Sequence, residues 1–263
     1  FQKVLMKDEQ SDAHTYSIIF QVLGAVIVAI FAFAKGFVMP PIAQFPINFL
    51  LLAVLYGTGT LCMFNAFKYI EASEITIISS TRAIIVILSA TLLLGETFSL
   101  QKAIGAILIL TSAFLVSQKL GKIKFNKGLL YALGIALFYG LATTNDAYLI
   151  KYVDVLSFLV IGFLFPGIFL IIVKPKALLK LDKFLKPKIL AKMLILTIFY
   201  AGGAVFFYYA LITGAKASQL SPVHQSTVIT TVILSAVFLR ERDHLFKKIF
   251  SAVLVIIGVM LIK

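Results

Sequence analysis

The chain has 263 residues, of which 61% are hydrophobic and 13% charged, whereas a soluble domain is nearer half apolar and a quarter charged. Lipid is therefore its main solvent, and because backbone groups in lipid must be bonded internally, the long apolar runs must be helices; the alternating short segments of a β-barrel are absent. The formal net charge of +13 comes from lysines in the gaps between apolar runs, not from a basic face of the kind that binds nucleic acid.

The single cysteine, Cys62, excludes an internal disulfide, and His14, His224 and His244 lack metal-ligand spacing. Neither a metal nor a cofactor is indicated.

Nine apolar runs follow in chain order, at roughly 15 to 34, 46 to 68, 74 to 94, 102 to 118, 128 to 150, 155 to 173, 191 to 212, 217 to 239 and 248 to 262. Each is predicted to be a membrane-spanning helix. Ala53 with Gly57, Ala136 with Gly140, and the cluster Ala201, Gly202, Gly203 predict close helix approaches. Pro166 and Gly167 can kink the sixth run, and Pro222 the start of the eighth. The chain opens on Phe1 with no charged stretch and cleavage site ahead of it, which reads as a truncated start and not as a signal peptide.

The runs repeat. Tyr56, Gly57, Thr58, Gly59 through Phe64, Asn65, Ala66 lines up with Tyr200, Ala201, Gly202, Gly203 through Tyr208, Tyr209, Ala210. After a one-residue insertion Ala72 and Ser73 match Ala217 and Ser218, Leu94 and Glu96 match Leu239 and Glu241, and Lys102 and Ile104 match Lys247 and Ile249. The copies occupy 1–118 and 128–263. The first holds four runs and the second five, so the run at 128 to 150 has no partner and a first helix is expected ahead of Phe1. The expected fold is all-α, a polytopic membrane helix bundle with nine spans present of an inferred ten. Five spans per copy is an odd number, so the copies are inverted five-helix repeats, an arrangement that in transporters puts the binding site near mid-membrane.

Leu220, Ser221 and Pro222 lead into one apolar run, Phe238, Leu239, Arg240, Glu241 and Arg242 close it, and the last run holds Gly258. This pattern resembles the EamA-type transporters of the drug/metabolite transporter superfamily, with a proline near the ninth helix start, a Leu-x-Glu turn and a Gly-containing last helix. Leu94, Gly95, Glu96 and Thr97 form the same turn in the first copy, and the resemblance covers essentially the whole chain. It implies a multi-pass carrier of small solutes in the cell membrane, with the first helix helping to line the cavity. Phe250 stands where the first copy has Gly105, which predicts looser packing there.

Basic residues mark the two membrane sides. One carries Lys3, Lys7, Lys68, Lys119, Lys122, Lys124, Lys127, the lysines from 174 to 192, Arg240, Arg242, Lys247 and Lys248; the other carries only Lys35, Lys102, Lys151, Lys216 and Lys263. Cytoplasmic loops hold the basic excess, which puts the 174 to 192 loop inside and the C-terminus outside, whereas the resemblance implies a cytoplasmic C-terminus.

A charge within a span costs from about 3 to over 10 kcal/mol, which singles out Arg82 and Asp146. Arg82 lies about eight residues into its span, roughly 12 Å deep. It reads as an anchor for an anionic or carboxylate-bearing substrate, or as a structural cation bonded to neighbouring carbonyls. Asp146 follows Thr143, Thr144 and Asn145 near the end of its span. It either reaches the interface or joins His224, at a similar depth of roughly 6 to 10 Å, in a proton-handling pair.

The repeat equates Ser79 with His224 and Arg82 with Thr227, giving each copy a short polar stripe at i, i+3 that is expected to face a cavity. Asn65 and Gln225 suit interhelical hydrogen bonds, and Asn65 and Asn145 are also candidates for substrate contact. Tyr139, Tyr208 and Tyr209 can stack on a planar solute, or simply pack, in a chain with 24 Phe and 10 Tyr. Glu96 and Glu241 sit in turns at helix starts, where a carboxylate favours the helix dipole.

The leading function is a transmembrane secondary carrier of a small metabolite by alternating access, not an enzyme. Its partners are the solute and the lipid bilayer, and a homodimer is the assembly left open. The alternatives are a membrane-embedded enzyme, for which only Asp146 and His224 come near a catalytic pair, and a non-transporting receptor or scaffold. No Gly-rich phosphate loop occurs, so coupling would draw on a gradient. Substrate and coupling ion are not legible.

Overall fold

The computed structural model describes residues 2–6, 11–94, 99–119, 122–123, 126–181, 186–213 and 217–261, without the side chains of 90, 94, 117–119, 122–123, 211–212 and 217–226. The described helices are α1 (Gln2–Leu5), α2 (Ala13–Lys35), α3 (Pro46–Tyr69), α4 (Ala72–Ser79), α5 (Arg82–Leu94), α6 (Leu100–Ser117), α7 (Lys127–Leu149), α8 (Val155–Val173), α9 (Pro187–Ile212), α10 (Ala217–Phe238) and α11 (Leu245–Leu261). A 3-10 helix, Pro175–Lys180, follows α8, and a two-residue antiparallel pairing joins β1 (Gln118–Lys119) to β2 (Lys122–Ile123). Among the described residues every element but that short pairing is thus helical, and every predicted run falls on a helix. Among the described residues, six helical stretches are long and apolar enough to cross a membrane: α2, α3, Ala72–Leu93, α7, α8 and the part of α9 from Pro187 to Ala210.

Local sequence sets the ends of these helices. Asp12 caps α2 by accepting from the His14 N–H at 3.1 Å, and α2 stops at Gly36, whose φ of 95° suits glycine. Asp154 caps α8 in the same way, accepting from the Ser157 N–H at 2.9 Å. Neither Pro166 nor Pro222 interrupts its helix.

Two compact units form, and each draws on both sequence copies. The first comprises 1–64 and 142–213, the second 65–141 and 214–263. In the first, the most extensive packing joins α2 to α8; in the second it joins α6 to α11. Both are pairs of repeat-equivalent helices. Lipid tails are as apolar as leucine, so the hydrophobic effect does not drive such contacts and close van der Waals fit must. The first unit has a core of Phe49, Leu52, Leu149, Phe158 and Ile161, the second one of Ile77, Ile109, Val228, Val232, Ala252 and Val255.

Glycine contacts separate close approaches from open faces. A Cβ on Gly258 would lie 2.7 Å from the Gly105 carbonyl oxygen and 2.8 Å from Ile109 Cγ1, so α6 and α11 touch backbone to backbone. Phe250 is 49% exposed and does not hold these helices apart, contrary to the looser packing expected from it. Gly57 meets Phe169, and Gly140 meets Ile85, as close-approach sites should. Ala201 is buried, but among the described residues Gly202 and Gly203 have nothing within 4 Å of a Cβ position, so the predicted approach is not seen at these two glycines.

Candidate functional site

The second unit contains an interrupted helix. Between α4 and α5 the backbone bonds shorten their reach: Ser80 N–H donates to Ile77 O at 3.3 Å, Thr81 to Ile78 at 3.1 Å, Ala83 to Ser80 at 3.0 Å and Ile84 to Thr81 at 2.9 Å. These are i to i−3 bonds, a 3-10 turn set inside an apolar stretch. Its cause is local. The hydroxyls of Ser79, Ser80 and Thr81 donate to the carbonyls of Thr76, Ile77 and Ile78 and compete with the regular ladder, a pattern that bends helices.

Arg82 is the first residue of α5, half-buried. In a 3-10 turn residues three apart eclipse, so Ser79 and Arg82 share one side. Helix α7 passes directly against the turn, since a Cβ on Gly140 would lie 3.1 Å from the Arg82 carbonyl oxygen. Tyr139, next to Gly140, is buried. Asn65 is half-buried on α3 and Thr227 exposed on α10. The side chains of His224 and Gln225 lie outside the described residues, as do Glu96 and Gly95.

The first unit buries a carboxylate. Asp146, on the last turn of α7, is 3% exposed and does not reach out to an interface. Its Oδ2 accepts from the Tyr208 hydroxyl at 2.7 Å and from the Tyr56 hydroxyl, while Oδ1 is buried with no donor among the described residues. No described cation pairs with it. Next to it, Asn145 Oδ1 accepts from Asn48 Nδ2 at 2.8 Å, and Asn145 Nδ2 donates to the Asn48 carbonyl at 3.1 Å. One turn beyond Tyr56, Thr60 Oγ1 accepts from Gln21 Nε2 at 2.7 Å. Thus Asn145, Asp146 and Tyr208 come together as a polar cluster, held by α3 and α9, which are equivalents in the repeat.

Several participants were not singled out from sequence. Asn48, Tyr56 and Thr60 fall at i, i+8 and i+12, on one face of α3; that stripe was the available signal. Tyr56 was read only as a marker of the repeat. Arg82 and Asp146 are also not the sole buried charges. At the start of α4, Glu74 is buried and Glu71 forms an ion pair with Lys248, itself 3% exposed. Among the described residues no group of His, Cys, Asp and Glu could hold a metal ion.

Contacts within the first unit agree with helices that alternate in direction. Asp12, at the start of α2, pairs with Lys174 beyond the end of α8 at 3.5 Å, and Asn48 at the start of α3 meets Asn145 at the end of α7. Each pair joins a helix start to a helix end, as neighbouring antiparallel passes require.

No curated protein matches the chain. The sequence profile of the EamA-like transporter family matches it twice, over residues 2–118 and 126–263, and two successive matches fit the inverted-repeat reading. Helices long enough to cross a bilayer, doubled architecture and these matches lead to one assignment: the chain belongs to the EamA-like transporter family of the drug/metabolite transporter superfamily, and is a multi-pass membrane protein of a group that points to small-molecule transport and away from enzymes.

Proposed function

We propose that the protein is a secondary carrier of the cell membrane that moves a small metabolite by alternating access, with Arg82 anchoring an anionic or carboxylate group of the solute and Asp146 handling protons. The observation that carries this reading is the interrupted helix: within an apolar span the ladder gives way at a run of hydroxyls and restarts on a cation. Discontinuous helices are where transporters bind solutes, because the positive dipole end of the second half favours negative charge. A guanidinium adds a fork that fits a carboxylate. Ser79, Asn65, Tyr139 and Thr227 supply polar and aromatic lining in the same unit. Asn145 and Tyr208 serve Asp146, whose orphan Oδ1 can take a proton without breaking either phenol bond.

The test begins with purified protein in detergent, screened for thermal stabilisation by organic acids and phosphorylated metabolites. A stabilising solute is then assayed for uptake into proteoliposomes. Arg82→Ala is expected to weaken both responses at least tenfold, while Arg82→Lys retains part. Unchanged affinity in Arg82→Ala removes Arg82 from the site, and binding without uptake or counterflow removes the carrier reading.

A further inference from the structure

The segment after α8 holds a second kind of surface. Helix α8 carries no charge and is capped by Lys174, so the 3-10 helix Pro175–Lys180 begins where the apolar span ends. With three residues per turn, side chains three apart line up. Lys174, Ala177 and Lys180 therefore form one stripe, and that stripe is turned inward. Ala177 is fully buried against Ile18 and Leu170, and Lys174 and Lys180 reach Asp12 Oδ2 at 3.5 and 4.0 Å. The other stripes are forced outward. Leu178 is 39% and Leu179 82% exposed, beside the exposed Lys176. The start of α9 adds Lys186, Lys188 and Lys192, all exposed. None of Lys176, Lys186, Lys188 and Lys192 has an acidic partner among the described residues.

Two exposed leucines at the end of an apolar span are costly in water and favourable in the acyl region, and exposed lysines in the same stretch of chain attract negative headgroups. We propose that this face is a docking site for anionic phospholipids of the surrounding bilayer, with Leu178 and Leu179 seated among the upper acyl carbons and Lys176, Lys186 and Lys188 on the headgroup phosphates. Lys174 and Lys180 stay with Asp12 and hold the 3-10 helix in place. The proposal needs only the membrane setting and stands apart from the solute carried.

The test uses the full chain in nanodiscs of phosphatidylcholine with a small fraction of phosphatidylglycerol, with retained lipid counted by native mass spectrometry. The wild type is expected to retain phosphatidylglycerol over phosphatidylcholine. The triple variant Lys176→Gln, Lys186→Gln, Lys188→Gln should lose affinity about fivefold per lysine removed, and Leu179→Gln should lose retention with the charges intact. All four positions are exposed, so the fold tolerates these changes. Wild-type retention in the triple variant overturns the proposal. So does equal loss when Lys35, Lys102 and Lys151 are neutralised instead, since net charge would then suffice. Complete displacement by inorganic phosphate overturns it as well, because a soluble anion would then be the ligand.

Discussion

The Glu241 carboxylate accepts from the Ser73 backbone N–H at 3.4 Å and from its hydroxyl at 3.2 Å, and takes the Ala72 N–H at 3.1 Å as well. A turn in the second repeat thereby caps a helix of the first. Its role at helix starts was foreseen as favouring its own helix dipole, but the helix it serves is 168 positions away. The Glu71 ion pair with Lys248 ties the same two segments together.

Removing either tie should therefore destabilise the second unit. Glu241→Ala strands two buried N–H groups, at a cost of about 1–3 kcal/mol, and Glu241→Gln should cost less. Lys248→Met leaves the Glu71 carboxylate without its cation, at about 3–5 kcal/mol. Adding Glu71→Leu should recover most of that. Unfolding in detergent measures all four, and additive losses in the double variant would contradict the pairing.

Arg240 has a φ of 57°, in the left-handed region that L residues occupy at a cost of about 1–2 kcal/mol. The first copy has Gly95 at the matching sequence position. Arg240→Gly is expected to raise the unfolding midpoint, by an equivalent of about 1 kcal/mol, since the exposed Arg240 side chain gives up little packing. A fall in the midpoint would mean that the side chain matters more than the backbone.

Gly258→Ala and Gly202→Ala make a matched pair. The first puts a methyl 2.7 Å from a carbonyl oxygen and should cost about 1–3 kcal/mol of overpacking; the second enters open space and should cost nothing measurable. Thermal unfolding of both variants checks the contrast.

Burial raises the Asp12 carboxyl pKa, but the His14 N–H bond, Lys174, the Thr15 hydroxyl and Lys180 outweigh it and leave the value below the usual carboxylate range. A carboxylate held low stabilises the fold at every pH above its unfolded value of about 3.9, and that stability is lost as pH falls through the lowered folded value. Asp12→Asn should thus be less stable than wild type at neutral pH, with the gap closing in acid. A gap that widens on acidification would contradict the assignment.

Tyr208→Phe and Tyr56→Phe each take a donor from a buried carboxylate, and about 1–3 kcal/mol apiece is expected. In an Asp146→Asn background the same changes should cost less. Asp146→Asn should also abolish any response of solute uptake to an imposed pH gradient. An undiminished response would leave Asp146 a purely structural group.

The helical class, the positions of the apolar helices and the doubling were legible because long apolar runs have one solution in lipid and copied turns leave paired Leu and Glu residues. Asp146 and Tyr208 were legible as polar residues in an apolar setting. Their meeting with Tyr56 was not, because Tyr56 and Asp146 are 90 positions apart and no local pattern encodes which phenol a carboxylate finds. The interruption at Ser80 and Thr81 was likewise hidden. Ser79 and Arg82 read as a stripe on an unbroken helix, and only the hydroxyl bonds back to the carbonyls reveal the turn. Lys248 was counted with the loops since a lysine beside a turn ordinarily faces water.

The joint ownership of both interiors by the two sequence copies has a consequence for how the polypeptide comes to exist. Severed in the stretch between 118 and 126, it would yield two fragments, each owning one side of the α2–α8 and α6–α11 seams. Such a fragment produced alone is a sticky intermediate and a target for proteolysis, whereas the two produced together can complete each other. Synthesis of the whole is thus a race to the last helix, because the earliest segments wait for partners made well over a hundred peptide bonds later.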